Sequence, residues 1–222
     1  MTSFDNLLQS LRHSPQLPQI LSMLQHEFNR EQQRRQRFYA DMTPEQKVEF
    51  IDGEIVLHSP ARNKHLDATG NLFRLLSTYV LIRQVGQVKH EKCLCVFPRN
   101  DYEPDVVFFG PEKANSFHAD TMKFPVPDLV VEVLSESTAE RDRGVKYEDY
   151  AANGVGEYWI VNADAQVVEQ YLLSAHQYRL HMKSSSGQLR SQVIANLEFP
   201  ISAIFDEQEN LLIIARFLQP ET

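Results

Sequence analysis

The 222-residue sequence predicts an α/β (α+β) fold: a mixed β-sheet flanked by helices, with a helical extension in front of it. Three observations carry this. Two near-continuous apolar runs, 106–109 and 129–134, read as strands covered on both faces. A long helical pattern over 63–83 and a second after Ser137 or Thr138 surround them. Leucine-rich helical spacing also precedes the first strand signal.

In chain order, Phe4, Leu7, Leu8 and Leu11 stand at helical spacing, and Pro15 and Pro18 punctuate. Residues 19–38 continue with Ile20, Leu21, Met23, Leu24 and Phe28, then a stretch with four arginines (Arg30, Arg34, Arg35, Arg37) against Glu31. That stretch reads as a solvated helix face or as a phosphate-contacting arm. Residues 1–38 form the extension and 39–222 the main domain. Thr43-Pro44-Glu45-Gln46 has the residues of a capping box. Residues 48–51 and 54–58 form a hairpin around Asp52-Gly53, which Ser59-Pro60 closes. In the 63–83 helix, Leu66, Leu72, Phe73, Leu76, Tyr79, Val80 and the Ile82 side face inward, and Gly86 ends it. Residues 88–97 read as one strand and 110–125 as a loop, an excursion from the sheet. The helix after Ser137 or Thr138 runs to about Asn153, with Gly154 beyond it. Strands follow at 157–162 and 167–173, with further strand signals at 178–181, 197–199 and 211–215.

Composition narrows the class. No apolar run approaches the roughly 20 residues of a membrane span, and Met1-Thr2-Ser3-Phe4-Asp5 lacks a basic-then-apolar start. The expected compartment is the cytoplasm. Cys93 and Cys95 share a strand face but have no second pair to complete a zinc site, and they read as small buried residues. A net charge of −8 argues against diffuse nucleic-acid affinity, not against a local basic groove.

Chemistry enters where the apolar strands are interrupted. Glu132 breaks the second run, and a buried carboxylate needs a partner. Asp105 follows Pro104 at the start of the first run. Neighbouring strands would let the two converge, and a main-chain carbonyl beside Glu132 could add a third oxygen for a hard cation such as Mg²⁺. Lys146, in the helix after the Glu132 strand, can reach along it toward the sheet end. From spacing alone, Lys146 also fits a solvated helix lysine or a partner of Asp142 four residues earlier.

The segments Glu103-Pro104-Asp105-Val106-Val107, Pro127-Asp128-Leu129-Val130-Val131-Glu132-Val133-Leu134-Ser135, Asp142-Arg143-Gly144-Val145-Lys146 and Gly154-Val155-Gly156-Glu157-Tyr158-Trp159-Ile160-Val161 resemble the Uma-type restriction endonuclease family, within the PD-(D/E)XK nuclease superfamily. Ile51-Asp52-Gly53-Glu54-Ile55 with Ser59-Pro60, then His65, is also similar. The likeness spans about 48–173. It implies a restriction-endonuclease-like fold and Mg²⁺-dependent phosphodiester hydrolysis of nucleic acid, with DNA the expected substrate and Mn²⁺ a possible substitute. Asp105 and Glu132 would be metal ligands. Lys146 would stand for the catalytic lysine, because the superfamily's usual position for it is Leu134 here. Glu54 would be the early acidic residue, or else an exposed glutamate flanking a turn. The chain departs from the family in having Glu136 after the strand serine and a long 110–125 segment. His58 and His65 read as surface or structural histidines. Fold does not fix function, so a catalytically inactive nuclease-fold binding or scaffold module is the alternative. The leucine-rich extension is expected to serve association, and a homodimer is the expected assembly.

Overall fold

Two helices lead the chain, α1 (Ser3–Arg12) and α2 (Leu17–Asp41), the latter with Pro18 in its first turn, where a missing N–H costs nothing. The computed structural model describes residues 3–43 and 45–219; Pro44 of the expected capping box lies outside them. The hairpin β1 (Val48–Ile51) and β2 (Glu54–Leu57) turns through Asp52 and Gly53, both at positive φ (51° and 82°), as a two-residue hairpin loop requires. Then come α3 (Asn63–Arg83), β3 (Gln87–His90), β4 (Leu94–Val96), β5 (Asp101–Tyr102) and β6 (Val106–Phe109). A short α4 (Pro111–Ala114) and β7 (Lys123–Phe124) precede β8 (Leu129–Val133). After α5 (Ala139–Arg143) and α6 (Val145–Ala152) the chain forms β9 (Glu157–Asn162), β10 (Val167–Ser174) and β11 (Gln177–Ser184). It closes with β12 (Gln188–Arg190), β13 (Glu198–Pro200) and α7 (Glu207–Phe217).

The sheet core is mixed, as expected, but it divides into layers. A six-stranded sheet runs β11-β10-β9-β8-β6-β3, with β8 and β9 parallel and the other pairs antiparallel. A five-stranded sheet runs β2-β1-β5-β4-β7. Alternation assigns the faces. Val106, Phe108, Leu129, Val131, Trp159 and Val161 pack with α3 and α7 residues in one core. Val107, Phe109, Val130, Tyr158 and Ile160 point the other way, to a second core shared with α6 and with Ile51, Cys95 and Tyr102 of the five-stranded sheet. That sheet's outer face, with Val48, Phe50 and Leu94, packs on Phe38 of α2.

Several expectations are corrected. The single strand over 88–97 is two, which enter different sheets around Glu91 at φ 63°. The segment 211–215 is helical: Asp206 caps α7 by accepting the Glu209 N–H at 2.8 Å, and Ile213, Ile214 and Phe217 face the core on a helical stripe. The helix expected up to Asn153 breaks at Gly144, where a Cβ would stand 2.9 Å from the Glu140 carbonyl oxygen. Leu66 and Ile82 are largely exposed, and Leu75 takes the inward role with Leu72, Leu76, Tyr79 and Val80. Residues 110–125 make the expected excursion, but with a short helix and packed rings in it. Rings of Phe109, Phe117 and Phe124 meet at 5.0–5.8 Å, and Asp128 binds Lys113 and the Gly110 N–H.

The boundary expected after residue 38 falls inside α2, which continues to Asp41. Arg35 is buried, and its guanidinium pairs with Asp101 through Nε (2.7 Å) and Nη2 (2.6 Å) while donating to the carbonyls of Phe97, Pro98 and Asn100. Arg34 pairs with Glu54, Arg30 with Glu27, and Arg99 of the β4–β5 turn with Glu31. The second half of α2 is therefore part of the domain. Its first half and α1 leave Leu7, Leu21, Met23, Leu24 and Phe28 exposed.

Candidate active site

The parity that builds the second core also places the carboxylates. Val130 faces α6, so Glu132 does too; Val107 and Phe109 face the same way, so Asp105 does. Val106 pairs with Val131, and one step further along this antiparallel register sets Asp105 opposite Glu132. Asp105 stands where the chain crosses from the five-stranded to the six-stranded sheet, and its Oδ2 accepts the Val133 N–H at 2.9 Å. On β1, Glu49 shares the inner face with Ile51. Its Oε1 accepts the Glu103 N–H at 3.0 Å, while Glu103 accepts the Val48 N–H at 2.8 Å. This reciprocal pair holds β1 to the crossover.

Lys146 lies among these groups. The Gly144 break starts α6 afresh, and Lys146 and Tyr150, one turn apart, both point at the sheet. Lys146 Nζ lies 2.9 Å from Glu132 Oε1, 2.9 Å from Glu49 Oε1 and 3.5 Å from Asp142 Oδ1, and it is 1% exposed. The Tyr150 hydroxyl donates to the same Glu132 oxygen at 2.9 Å. On the other side, Lys47 Nζ donates to Asp105 Oδ1 at 2.9 Å, with His65 Nε2 3.5 Å from that oxygen. His58 Nε2 approaches Glu49 Oε2 at 3.0 Å, without hydrogen-bond alignment.

Electrostatics splits the carboxyls. Burial opposes ionisation of Glu49, but Lys146 and His58 outweigh it and hold the group down at about 2. Burial likewise opposes Asp105, yet His65 and Lys47 keep it well below the usual range. At Glu132 burial dominates, with Asp142, Asp105 and Glu49 adding to it against Lys146, and the group is pushed up to about 8. Asp142 is raised by burial as well. Lys146 remains charged, because its carboxylate neighbours overcome the cost of burying it.

Four buried carboxyls thus face two lysines, and full ionisation would leave a deficit of two positive charges. Neither oxygen of buried Asp142 has a hydrogen bond among the described residues. Glu157 is the contrast: Trp159, Gln170, Ser191 and the N–H groups of Gln192 and Val193 all donate to it, as to a structural carboxylate. The acidic cluster therefore suits a hard divalent cation in charge and in donor type. Among the described residues no three His, Cys, Asp or Glu side chains would ring a metal by themselves, so water and main-chain oxygen would complete its shell.

Of the residues singled out from sequence, Asp105, Glu132 and Lys146 come together. Glu54 does not: it is exposed on edge strand β2 and pairs with Arg34 of α2 at 3.0 Å. The acidic residue that the hairpin contributes is Glu49. Lys47 and Tyr150 were also not singled out; Asp142, named as a possible partner of Lys146, does approach it at 3.5 Å, and His65, read as surface or structural, stands beside Asp105. Cys93 and Cys95 are buried free thiols. No helix among the described residues is long and apolar enough to cross a membrane.

The chain is similar to known proteins. A Synechocystis sp. protein described only as uncharacterized, sll1609, is 31% identical over 128 residues, covering 57% of this chain and 72% of the relative. The crystal structure of a putative nuclease belonging to DUF820 from Anabaena variabilis superposes with a TM-score of 0.65 at 17% identity, covering 76% of this chain and 94% of that one, which establishes the shared fold. The sequence profile of the Uma2 family, described as "Putative restriction endonuclease", matches residues 31–202 and so begins within the buried half of α2. With the profile matching most of its length, the chain belongs to the Uma2 family.

Proposed function

We propose that the protein is a Mg²⁺-dependent endonuclease that hydrolyses phosphodiester bonds of DNA. The observation that carries this reading is the buried excess of carboxyls over lysines gathered from β1, the start of β6, β8 and α5. Asp105 and Glu132 would hold the ion, with Mn²⁺ as a substitute. A bound ion would supply Lewis-acid stabilisation and a water of lowered pKa. Lys146 keeps the Glu132 and Glu49 carboxylates in place and offers positive charge toward a phosphate. Tyr150 fixes one Glu132 oxygen. Lys47 and His65 orient Asp105 and are the more accessible members of the group, so they form its solvent side. Glu54 has no part in the chemistry.

The test is cleavage of plasmid, single-stranded DNA and RNA by the wild type and by Glu132→Gln, with Mg²⁺, Mn²⁺ and Ca²⁺. We expect cleavage with the first two ions, binding without cleavage with Ca²⁺, and loss of activity in the variant. Equal activity in both proteins would expose a contaminant. Inactivity on every substrate would leave the inactive nuclease-fold binding module as the reading.

The partner on the exposed extension is a second copy of the chain. Leu17, Leu21, Leu24 and Phe28 continue, at alternating steps of four and three, the stripe that Glu31, Arg35 and Phe38 bury in the domain. The same stripe on two copies is self-complementary about a two-fold axis. A standard interface of roughly 800 Å² per partner would need α1 as well as this half of α2. Light scattering should give a dimer for the wild type and a monomer for Leu21→Lys/Leu24→Lys; equal masses remove this assembly. We assign the protein to the cytoplasm, whose reducing conditions suit its two free thiols.

A further inference from the structure

Two ammonium groups stand in the acidic cluster, and the fold holds them differently. Lys146 is buried among Glu49, Glu132 and Asp142, so three carboxyls share its charge and it has no path to water. Lys47 pairs with Asp105 alone among the described residues, and its side chain is 21% exposed. Strand parity puts it there. Val48 packs toward α2, so Lys47 points with Glu49 to the inner side of β1. The Lys47 carbonyl accepts the His58 N–H at 3.2 Å, which extends the β1–β2 pairing by one step and fixes the backbone. The four methylenes beyond that anchor can still turn.

Asp105 is engaged through both oxygens: Oδ2 accepts the Val133 N–H and Oδ1 accepts Lys47 Nζ, each at 2.9 Å. A dication on Asp105 would stand beside that ammonium in a site largely shielded from water, where like charges repel strongly. The Val133 N–H is fixed in β8 and Lys146 is enclosed, so Lys47 is the group with a way out. We propose that Lys47 is an internal cation that occupies Asp105 until a divalent ion displaces it, and that the released ammonium then meets a phosphate of the substrate strand. This role rests on the metal-dependent nuclease reading and adds an order of events to it, metal first and substrate contact second. A lysine suits both positions, being a compact point charge on a flexible stem and a good partner for phosphate. A Lys47 that only oriented Asp105 would help the ion to bind, whereas one that must be displaced competes with it, so the two roles differ in sign.

Full-length wild type and Lys47→Met would be titrated with Mn²⁺ in the absence of nucleic acid, the free ion being followed by electron paramagnetic resonance. Competition predicts binding about tenfold tighter in the variant, since the ion no longer has to break one charge-assisted hydrogen bond. Equal or weaker binding by the folded variant overturns the displacement. Deleting any nearby positive charge favours a cation to some degree, so a second measurement uses the wild type alone. A short pulse of acetic anhydride with and without Mg²⁺, resolved lysine by lysine by mass spectrometry, should show Lys47 acetylated several-fold faster when the ion is bound, with Lys146 unmodified in both states. Lys47 reactivity that is unchanged or lowered by Mg²⁺ overturns the displacement whatever the variant does. At saturating Mn²⁺, KM for an oligonucleotide should be about tenfold higher in Lys47→Met although the metal binds more tightly; an unchanged KM overturns the phosphate contact. Metal binding and cleavage with Lys47 unreactive overturn the displacement and leave the nuclease reading standing. Release of Lys47 by metal in a protein that cuts no substrate supports the displacement and overturns the nuclease reading. Absence of metal binding in both proteins overturns both.

Discussion

Replacing Lys146 with methionine keeps the aliphatic stem and deletes the one ammonium shared by Glu49, Glu132 and Asp142. Leaving a buried carboxylate unpaired costs about 3–5 kcal/mol. The chain can limit that cost by folding with one more carboxyl protonated, and Glu49 is the group in question, because Lys146 helps hold it at about 2. Protonating a glutamate whose unfolded pKa is about 4.3 costs about 1.4 kcal/mol per pH unit above that value, hence about 3.7 kcal/mol at pH 7 and about 1 kcal/mol at pH 5. The sign follows from the two proteins. In the wild type the depressed Glu49 stabilises above its unfolded pKa, and that contribution is lost as the pH falls toward 2. In the variant its pKa is raised, so stability is lost as the pH rises past about 4.3. The deficit of Lys146→Met should therefore grow by about 2.7 kcal/mol from pH 5 to pH 7 in urea unfolding experiments. Adding Glu49→Gln removes the carboxyl that must take the proton, and it should flatten this dependence. A deficit independent of pH, or one that shrinks as the pH rises, refutes the reasoning.

Other outcomes follow from the same contacts. Glu132→Gln should raise stability without metal by about 1–3 kcal/mol at pH 7, since burial pushes Glu132 to about 8; the gain should vanish below about pH 4.3, where the unfolded carboxyl is protonated too. Chemical denaturation at the two pH values measures it. Arg35→Met should cost about 3–5 kcal/mol by the same assay, because Asp101 would stay buried without its partner. A chain beginning at Asn29 should keep cooperative unfolding, whereas one beginning at Tyr39 should lose it, since only the second removes Glu31, Arg35 and Phe38 from the sheet; circular dichroism melts of both would decide.

Much of the fold could be read locally. The Asp52-Gly53 hairpin, the 63–83 helix and the apolar strands carry their own periodicity or turn chemistry, and they formed close to where the residues indicated. What was not legible depends on long-range contact. Leu211, Leu212, Ile213 and Ile214 make an apolar run that suits a strand, and only the Asp206 cap with its acidic first turn marks α7. The arginines of α2 look like a solvated face because Asp101, which internalises Arg35, is 66 residues away. The 110–125 segment read as a loop excursion, and the packing of Phe117 against Phe109 and Phe124 is invisible in a stretch without periodicity.

The site makes the same point at single-residue scale. Glu132 announced itself because a charge inside a continuous apolar run has no solvent face to occupy. Glu49 did not, because it sits between Val48 and Phe50, the alternation of a half-exposed strand whose polar face meets water. In the folded chain Val48 and Phe50 pack on α2, and the face bearing Glu49 meets the second core instead. A single strand cannot encode whether a second sheet covers its polar face. One local signal was present: Ile51 shares that face with Glu49, and an isoleucine is a poor choice for a surface exposed to water. Glu54, three residues beyond Ile51, has the opposite history. The family resemblance drew attention to it, but the adjoining turn puts it on an edge strand where Arg34 and solvent satisfy its charge. The buried acid next to an apolar neighbour, rather than the acid next to the recognisable turn, is the one whose charge the fold must neutralise, and Lys146 and His58 are brought to Glu49 for that reason.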